Sequence, residues 1–393
     1  MSAELHVLLV PTAYPSRCFP VRGIFFQDQA HALRKAGLNV GVVATETRSL
    51  ATLHNPCGIW RSFQTTTHLE EDIPVIRYHG WSVPKMRAVT GRLWVRWCLN
   101  LIGKYVAEYG KPDIIHAHCA LWAGVAAAEA KARYGIPYCV TEHSTAFARG
   151  LVKPWHCPHI LRAYDRAHHV IAVGYDLAEH ITQFCADDKI VVIPNVVDTD
   201  YFRLPGEVRG VRPFHFVSIA ALTKKKGMDL LLRAYTRAFA NAGDVKLTIG
   251  GDGPCLPDLK KLARRLGIAQ AVAFPGQLAR EDVRRLLWEA NCYVSASFFE
   301  TFGVTMIEAM ATGLPVIATK SGGPADFISD RTGMLIDVGE VDQMAAAMEV
   351  IRSAGNDWAE RAQDISTYAE SRFSEQAVSG RLIELYKSMT NST

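Results

Sequence analysis

Residues 297–324 read SFFETFGVTMIEAMATGLPVIATKSGGP, and the fold class turns on this run. A strand at 292–296 leads into it, a loop carries Glu300, a helix opens near Gly303, and a second strand leaves at 315–318. Gly313 suits the left-handed position that ends a helix, and Pro315 cannot continue one. The product is a strand-loop-helix-strand unit bearing two carboxylates. Glu300 lies just ahead of the helix and Glu308 about two turns inside it. Backbone N–H groups at the helix start, from Phe302 through Gly303 and Val304 to Thr305, favour an anion such as a phosphate. Gly303 leaves room for a ligand to approach the backbone. A hydroxyl-rich ligand bearing phosphate satisfies both halves of such a site. The helical wheel also permits a plainer reading. Thr305, Glu308 and Thr312 share one polar stripe among Val304, Met306, Ile307, Met310 and Ala311, so Glu308 could simply face water.

Working outward, the chain of 393 residues is too long for one ordinary domain. Its 49% apolar and 21% charged residues allow sizeable cores and carry no disorder signature. The net charge of +4 gives no argument for nucleic acid, and no basic stripe with interleaved aromatics lines a groove. Nine cysteines without a C-x-x-C pair suit a reducing compartment. A strand at 6–10 follows the N-terminus almost directly, so no secretory signal is expected. No apolar run is long enough to span a bilayer. These features predict a cytoplasmic protein, at most peripheral at the inner face of a membrane.

Apolar β-rich runs at 6–10, 40–44, 75–78, 113–118, 138–142 and 170–173 alternate with helix-length segments. That alternation predicts a parallel sheet covered by helices. IVVIPNVVD at 190–198 closes the series at Pro194 and Asn195, and a second series opens at 215–220 and continues at 246–250, 272–274, 293–296 and 316–318. Domains are therefore expected at 1–194 and 195–372, with a terminal helical segment at 373–393. Residues 45–72 show little periodicity and read as a long loop. The first strand is followed by PTAYPSRCFPVRGIFFQDQAHAL rather than a tight G-x-G-x-x-G turn, which argues against a dinucleotide-dependent dehydrogenase. The helix at 91–109 carries Arg92, Arg96, Asn100, Lys104 and Glu108 in one row beside Trp94 and Trp97. An interfacial helix on anionic lipid has this pattern, and so does a core helix with one solvated stripe, which is the expectation here.

Glu300, Phe302, Gly303, Glu308, Ala309, Gly313, Pro315, Val316, Gly322 and Gly323 together resemble the donor-site signature of the retaining GT-B glycosyltransferases of the group 1, family four type. The resemblance covers most of the chain. It implies an α/β fold of two Rossmann-like domains with parallel sheets facing each other across a cleft. The first would bind the acceptor and the second a nucleotide-diphosphate sugar, and the last helix would return to the first domain. It further implies that Glu308 meets ribose hydroxyls and Glu300 sugar hydroxyls.

Residue by residue, Lys226 and Gly227 of SIAALTKKKGMD stand where the family holds the diphosphate, whereas Ala221 occupies the family's arginine position. Gly251 and Gly253 of GGDGP would line the nucleotide pocket, and Phe274 of FPG would meet the base. Gly23 resembles the glycine loop beside donor phosphate and acceptor. His143 of TEHS resembles the histidine that contacts the donor sugar, and His118 at the end of DIIHAH is the second candidate. Asp326 stands where the family commonly has glutamate. Acceptor loops are sought at 14–23, 45–72 and 149–159.

Trp155, His156, Cys157, Pro158 and His159 lack a second ligand pair at zinc spacing, and no D-x-D follows a strand. Metal-independent transfer is implied, with Lys226 and the helix start near Val304 neutralising the leaving diphosphate. No cofactor is expected besides the donor. The hydroxyl acceptor would be a saccharide, a lipid-linked saccharide or a small natural product, in polysaccharide, glycolipid or glycoside biosynthesis. Two other readings stay open: a sugar-nucleotide epimerase of the same fold, and a non-catalytic nucleotide-sugar-binding protein, which Ala221 would suit.

Overall fold

The computed structural model describes residues 4–17, 19–48, 62–82, 86–206, 213–240 and 242–391. The chain divides into two compact units, Met1–Val196 with Val378–Thr393, and Val197–Ala377. The first contains β1 (His6–Pro11), α1 (Ile24–Lys35), β2 (Asn39–Arg48), β3 (Thr65–Glu70), β4 (Ile73–Trp81), α2 (Arg87–Tyr109), β5 (Ile114–His118) and α3 (Val125–Tyr134). It continues with β6 (Tyr138–Glu142), α4 (Cys157–Asp165), β7 (Val170–Ala172), α5 (Tyr175–Ile181) and β8 (Ile190–Val192). Its sheet runs β3-β4-β2-β1-β5-β6-β7-β8, with β3 antiparallel to β4 and the other pairs parallel. Val7 to Val10 are buried because helices cover both faces, which is why the strand reads as an unbroken apolar run.

Residues 45–72 are not one long loop. β2 continues through Thr45 to Arg48, and β3 forms from TTTHLE on the sheet edge. That edge strand is mostly exposed and offers no apolar alternation to read, while 49–61 lie outside the described residues. Helix α2 buries Trp94, Cys98, Leu101, Ile102 and Tyr105 and exposes Arg92, Arg96 and Asn100, the pattern of a core helix with a solvated stripe.

The second unit contains β9 (Phe214–Ile219), α6 (Met228–Phe239), β10 (Val245–Gly250), α7 (Leu256–Arg265), β11 (Val272–Gly276), α8 (Arg280–Glu289), β12 (Cys292–Ser295), α9 (Val304–Ala311) and β13 (Val316–Thr319). Beyond them come β14 (Gly333–Ile336), α10 (Val341–Ser353), α11 (Gly355–Glu360) and α12 (Ala362–Phe373). Its sheet is parallel throughout, in the order β11-β10-β9-β12-β13-β14. The last helix, α13 (Glu375–Asn391), places Val378, Leu382, Tyr386 and Met389 in the core of the first unit beside Leu33, Val42 and Ile114.

Each sheet is built outward from its first strand on one side and then resumes on the other. The reversals fall between β1 and β5 and between β9 and β12. In open α/β sheets the crevice at the carboxyl ends of such strands is where ligands bind.

Candidate active site

In the second unit the loops after β9 and β12 are stitched together. The Phe298 N–H donates to the Lys225 carbonyl at 2.7 Å. Gly227 has φ of 60°, and a Cβ there would stand 2.0 Å from the Ala296 carbonyl oxygen, so only glycine allows the two loops this close. The approach delivers Lys226 to Glu300, and their side chains form an ion pair with 17% and 14% of their surfaces exposed. Glu300 is itself fixed by its backbone, donating to Ser321 O and accepting from Gly323 N, both at 2.9 Å. The Tyr293 hydroxyl donates to Ile219 O and bonds Thr305 Oγ1, each at 2.9 Å, which ties the start of α9 to the end of β9.

Helix α9 begins after Gly303, and no side chain caps it. Val304 and Glu308 are half-buried. Gly251, with φ of 120°, presses backbone to backbone on Ala220, and Gly253 lies against Leu222. The structure therefore gathers Lys226, Glu300, Gly303, Val304, Gly251 and Gly253 around the end of β9. Phe274 is half-buried on the edge strand β11, whose end meets the set through the Gly251 N–H bond to Gly276 O at 2.8 Å. Ala221 is exposed, and Asp326 closes the short turn Gly323–Asp326. Phe302 was singled out for its backbone N–H at the helix start, and its ring is turned away from that role. Its side chain is 3% exposed and packs on Phe327 and Phe373, leaving only its backbone to offer.

In the first unit, His118 requires correction. It is fully buried, stacked 4.5 Å from His116 and tilted against Phe26 at 4.7 Å, and its Nδ1 lies 3.1 Å from His143 Nε2. It can act on a ligand only through His143, which is half-buried beside Phe25 and Phe26. Gly23 opens α1 with φ of 78°. His116 Nδ1 accepts from the Tyr386 hydroxyl at 2.6 Å and from Gln29 Nε2 at 3.2 Å, so its Nε2 carries the proton donated to Thr141 Oγ1 at 2.6 Å. Burial lowers His116 and His143 to about 3 and His118 well below its ordinary value. At neutral pH all three are uncharged imidazoles that exchange hydrogen bonds.

An acid-stability prediction follows from these neutral rings. An unfolded histidine takes up a proton below about pH 6.5, whereas folded His116 resists until about 3. The unfolded state therefore binds more protons in that window, and stability falls as pH drops through it. His116 alone accounts for a loss of about 2 kcal/mol at pH 5, and His118 acts in the same sense. Urea unfolding at pH 7 and pH 5 checks this, with His116→Gln expected to reduce the difference while His118 and His143 sustain the rest.

Sequence reasoning missed two charged devices in this unit. Glu142 is 1% exposed yet accepts four hydrogen bonds: Oε1 from the N–H groups of His143 and Ser144, and Oε2 from Ala120 N and the Tyr164 hydroxyl. A carboxylate ending the strand YCVTE, whose other residues read as a continuous buried run, was the available signal. The second device holds the β1–α1 loop. Arg77 donates to the carbonyls of Tyr14 and Pro15 at 3.2 and 2.6 Å and pairs with Glu46. Burial alone would push the Glu46 carboxyl up, but hydrogen bonds from His79 and Ser16 and the Arg77 charge outweigh it and bring it down to about 2. Thr12, Tyr14, Phe19, Arg22, Glu46 and Arg77 line a small cleft there. Among the described residues, no three His, Cys, Asp or Glu side chains group as a metal site, and no helix is long and apolar enough to cross a membrane.

The profile of the family described as Glycosyl transferases group 1 matches residues 207–372, and that of Glycosyltransferase Family 4 matches 23–201. The chain belongs to the group 1, family 4 glycosyltransferases. This glycosyltransferase is 29% identical over 302 residues to D-inositol 3-phosphate glycosyltransferase of Paenarthrobacter aurescens, covering 71% of this chain and 73% of that one. Its two Rossmann-like domains of the GT-B fold superpose on sucrose-phosphate synthase from Thermosynechococcus elongatus with a TM-score of 0.79 at 18% identity, covering 99% and 100% of the two chains. Anabaena HepE, solved in complex with UDP and glucose, gives 0.76 at 19% identity, covering 98% and 100%.

Proposed function

We propose that this glycosyltransferase takes its sugar from a nucleotide-diphosphate donor bound by the second unit and passes it, with retention at the anomeric carbon, to a hydroxyl acceptor. The observation that carries the reading is the Lys226–Glu300 pair at the strand-order reversal, a cation for a diphosphate beside a carboxylate for sugar hydroxyls. Glu308, half-buried two turns into α9, would take ribose hydroxyls. The uncapped start of α9 at Gly303 and Val304 would receive phosphate oxygens. Gly251 and Gly253 would let the nucleotide lie close to the backbone. The UDP and glucose held by HepE are the kind of ligand these groups suit.

Under this reading the departing phosphate oxygen helps to remove the acceptor proton. Lys226 and the α9 start offset the charge that develops on the leaving group, and no metal is needed. In the first unit, neutral His143 would offer a hydrogen bond to a hydroxyl, and the β1–α1 loop with Tyr14 and Arg22 would meet the acceptor. Polysaccharide, glycolipid and small-molecule glycoside synthesis all use such an acceptor. The protein would act in the cytoplasm.

Thermal melts with UDP-, GDP-, ADP- and TDP-sugars test the donor. A donor at 100 times its Kd should add about 2.7 kcal/mol of stability, a rise of roughly 5–10 °C. A shift from none of the four overturns the reading. With a donor in hand, the anomeric proton coupling of the product tests retention, and unchanged turnover in chelator tests independence from metal.

A further inference from the structure

Strands β9 and β12 flank the reversal in the second sheet, and their ladder joins Phe216 to Cys292 and Val217 to Tyr293. Past that point β9 runs on beside β10 as far as Ile219, while β12 runs on beside β13. The Ala220 N–H donates to Gly250 O on the β10 side, so the neighbouring Ile219 turns its N–H and C=O toward β12, where the ladder has already ended. Buried backbone groups need partners, and the Tyr293 side chain supplies both. Its hydroxyl donates to Ile219 O at 2.9 Å and accepts from the Ile219 N–H at 3.3 Å. With the tyrosine proton committed, the 2.9 Å bond to Thr305 Oγ1 runs from threonine to tyrosine, and the hydroxyl has no capacity left. Tyr293 is 2% exposed, and burial pushes the hydroxyl pKa up, which keeps the proton in place.

Both ends of this strut lead to groups that would hold the diphosphate. Ile219 opens the turn that carries Lys226, and Gly251 presses on the next residue, Ala220. Thr305 is the second residue of α9, whose first hydrogen bonds run from the Met306 and Ile307 N–H groups to Gly303 O at 2.9 and 3.3 Å. The N–H groups of Val304 and Thr305 lie ahead of those bonds and are the ones a phosphate would take. The strut therefore sets where they point. A phenylalanine ring would fill the same core volume, so the hydroxyl is there for Ile219 and Thr305.

We propose that Tyr293 is a positioning residue for sugar transfer: its hydroxyl spaces the start of α9 from the end of β9, so that Lys226 and the α9 N–H groups converge on one diphosphate. The inference rests on the donor reading above and names the residue that holds that site in register.

Tyr293→Phe keeps the ring and removes the strut. With the sugar nucleotide that stabilises the wild type, kcat/KM for the donor should fall roughly tenfold, which corresponds to about 1.4 kcal/mol, while the KM for the acceptor stays as in the wild type. Thr305→Val should lose less in the same direction, and Thr305→Ser, which keeps the hydroxyl, should behave as the wild type. The double variant Tyr293→Phe with Thr305→Val should be no worse than Tyr293→Phe alone, because the two side chains share one bond. Tyr235→Phe is the control for a hydroxyl with a structural role: Tyr235 is buried in the same unit and donates to Val245 O at 2.8 Å, at the amino end of β10. It should lower the urea midpoint to a similar degree and leave the donor constants unchanged. Donor constants in Tyr293→Phe equal to those of the wild type, or a donor loss that Tyr235→Phe shares, overturn the proposal. If Tyr293→Phe does not fold, Thr305→Val against Thr305→Ser decides in the same way. A wild type that no sugar nucleotide stabilises would overturn the donor reading and this inference together, whereas a responsive wild type with an equally active Tyr293→Phe overturns this inference alone.

Discussion

Replacing Lys226 with methionine is expected to lower kcat/KM for sugar transfer by roughly 10²–10³-fold, the cost of removing one preorganised charge from a developing anion. Methionine keeps much of the stem that fills the space beside Gly227 and removes the ammonium that pairs with Glu300. The folded protein loses comparatively little. The pair is at the loop edge of the sheet with about a sixth of each side chain exposed, and Glu300 keeps its backbone bonds to Ser321 and Gly323. Activity and stability should therefore separate: a large loss in turnover with a shift in urea midpoint worth about 1–2 kcal/mol.

Glu300→Gln sharpens the experiment. If Lys226 and Glu300 act as one unit on the same donor, the double variant should be little worse than the poorer single one, because groups in contact are not additive. Wild-type turnover in either single variant would remove both residues from the chemistry. Turnover should be measured with whichever donor produces the thermal shift, since a poor donor would hide the loss.

Whether a feature could be read from the residues depended on what surrounds it. Strands covered on both faces were legible because burial leaves continuous apolar runs such as VLLV in β1. β3 was not, because an exposed edge strand imposes no period, and β14, the edge strand GMLI, opens on a glycine and keeps its two middle residues only half-buried. The same burial made His118 misleading. All five residues of IIHAH in β5 are buried, so strand alternation cannot tell an inward histidine from one facing a ligand. The packing of the Phe302 ring could not be read either, since its place in a glycine-flanked loop says nothing of the Phe327 and Phe373 rings that enclose it. The positions of Lys226 and Glu300 were legible from local runs, but their pairing across 74 residues follows from strand order alone. Glu46, Arg77 and Glu142 had no motif to mark them. Their roles rest on partners distant in sequence.

Glu142→Ala should be the most destabilising of the substitutions considered, by roughly 3–5 kcal/mol, because it strands buried donors that nothing else can satisfy. The carboxylate joins three separate pieces of chain: the turn after β5 through Ala120, the loop after β6 through His143 and Ser144, and α4 through Tyr164. The turn it holds contains two non-glycine residues with positive φ, Cys119 at 73° and Trp122 at 68°. Such backbone persists only while its surroundings determine it. Burial holds the Glu142 carboxyl above its ordinary range against the opposing pull of its four donors, and it is those four donors facing its two oxygens that give it the acceptor role. Glu142→Gln keeps the shape but turns one oxygen into a donor facing donors, and should cost a smaller 1–2 kcal/mol or thereabouts. Urea unfolding of both variants decides the matter. The ordering alanine worse than glutamine worse than wild type is expected, and an alanine variant as stable as the wild type would mean that the strap carries no load. Because Oε1 holds the backbone of His143 itself, the glutamine variant should also transfer sugar more slowly at temperatures where it is fully folded, a loss that global stability alone would not produce.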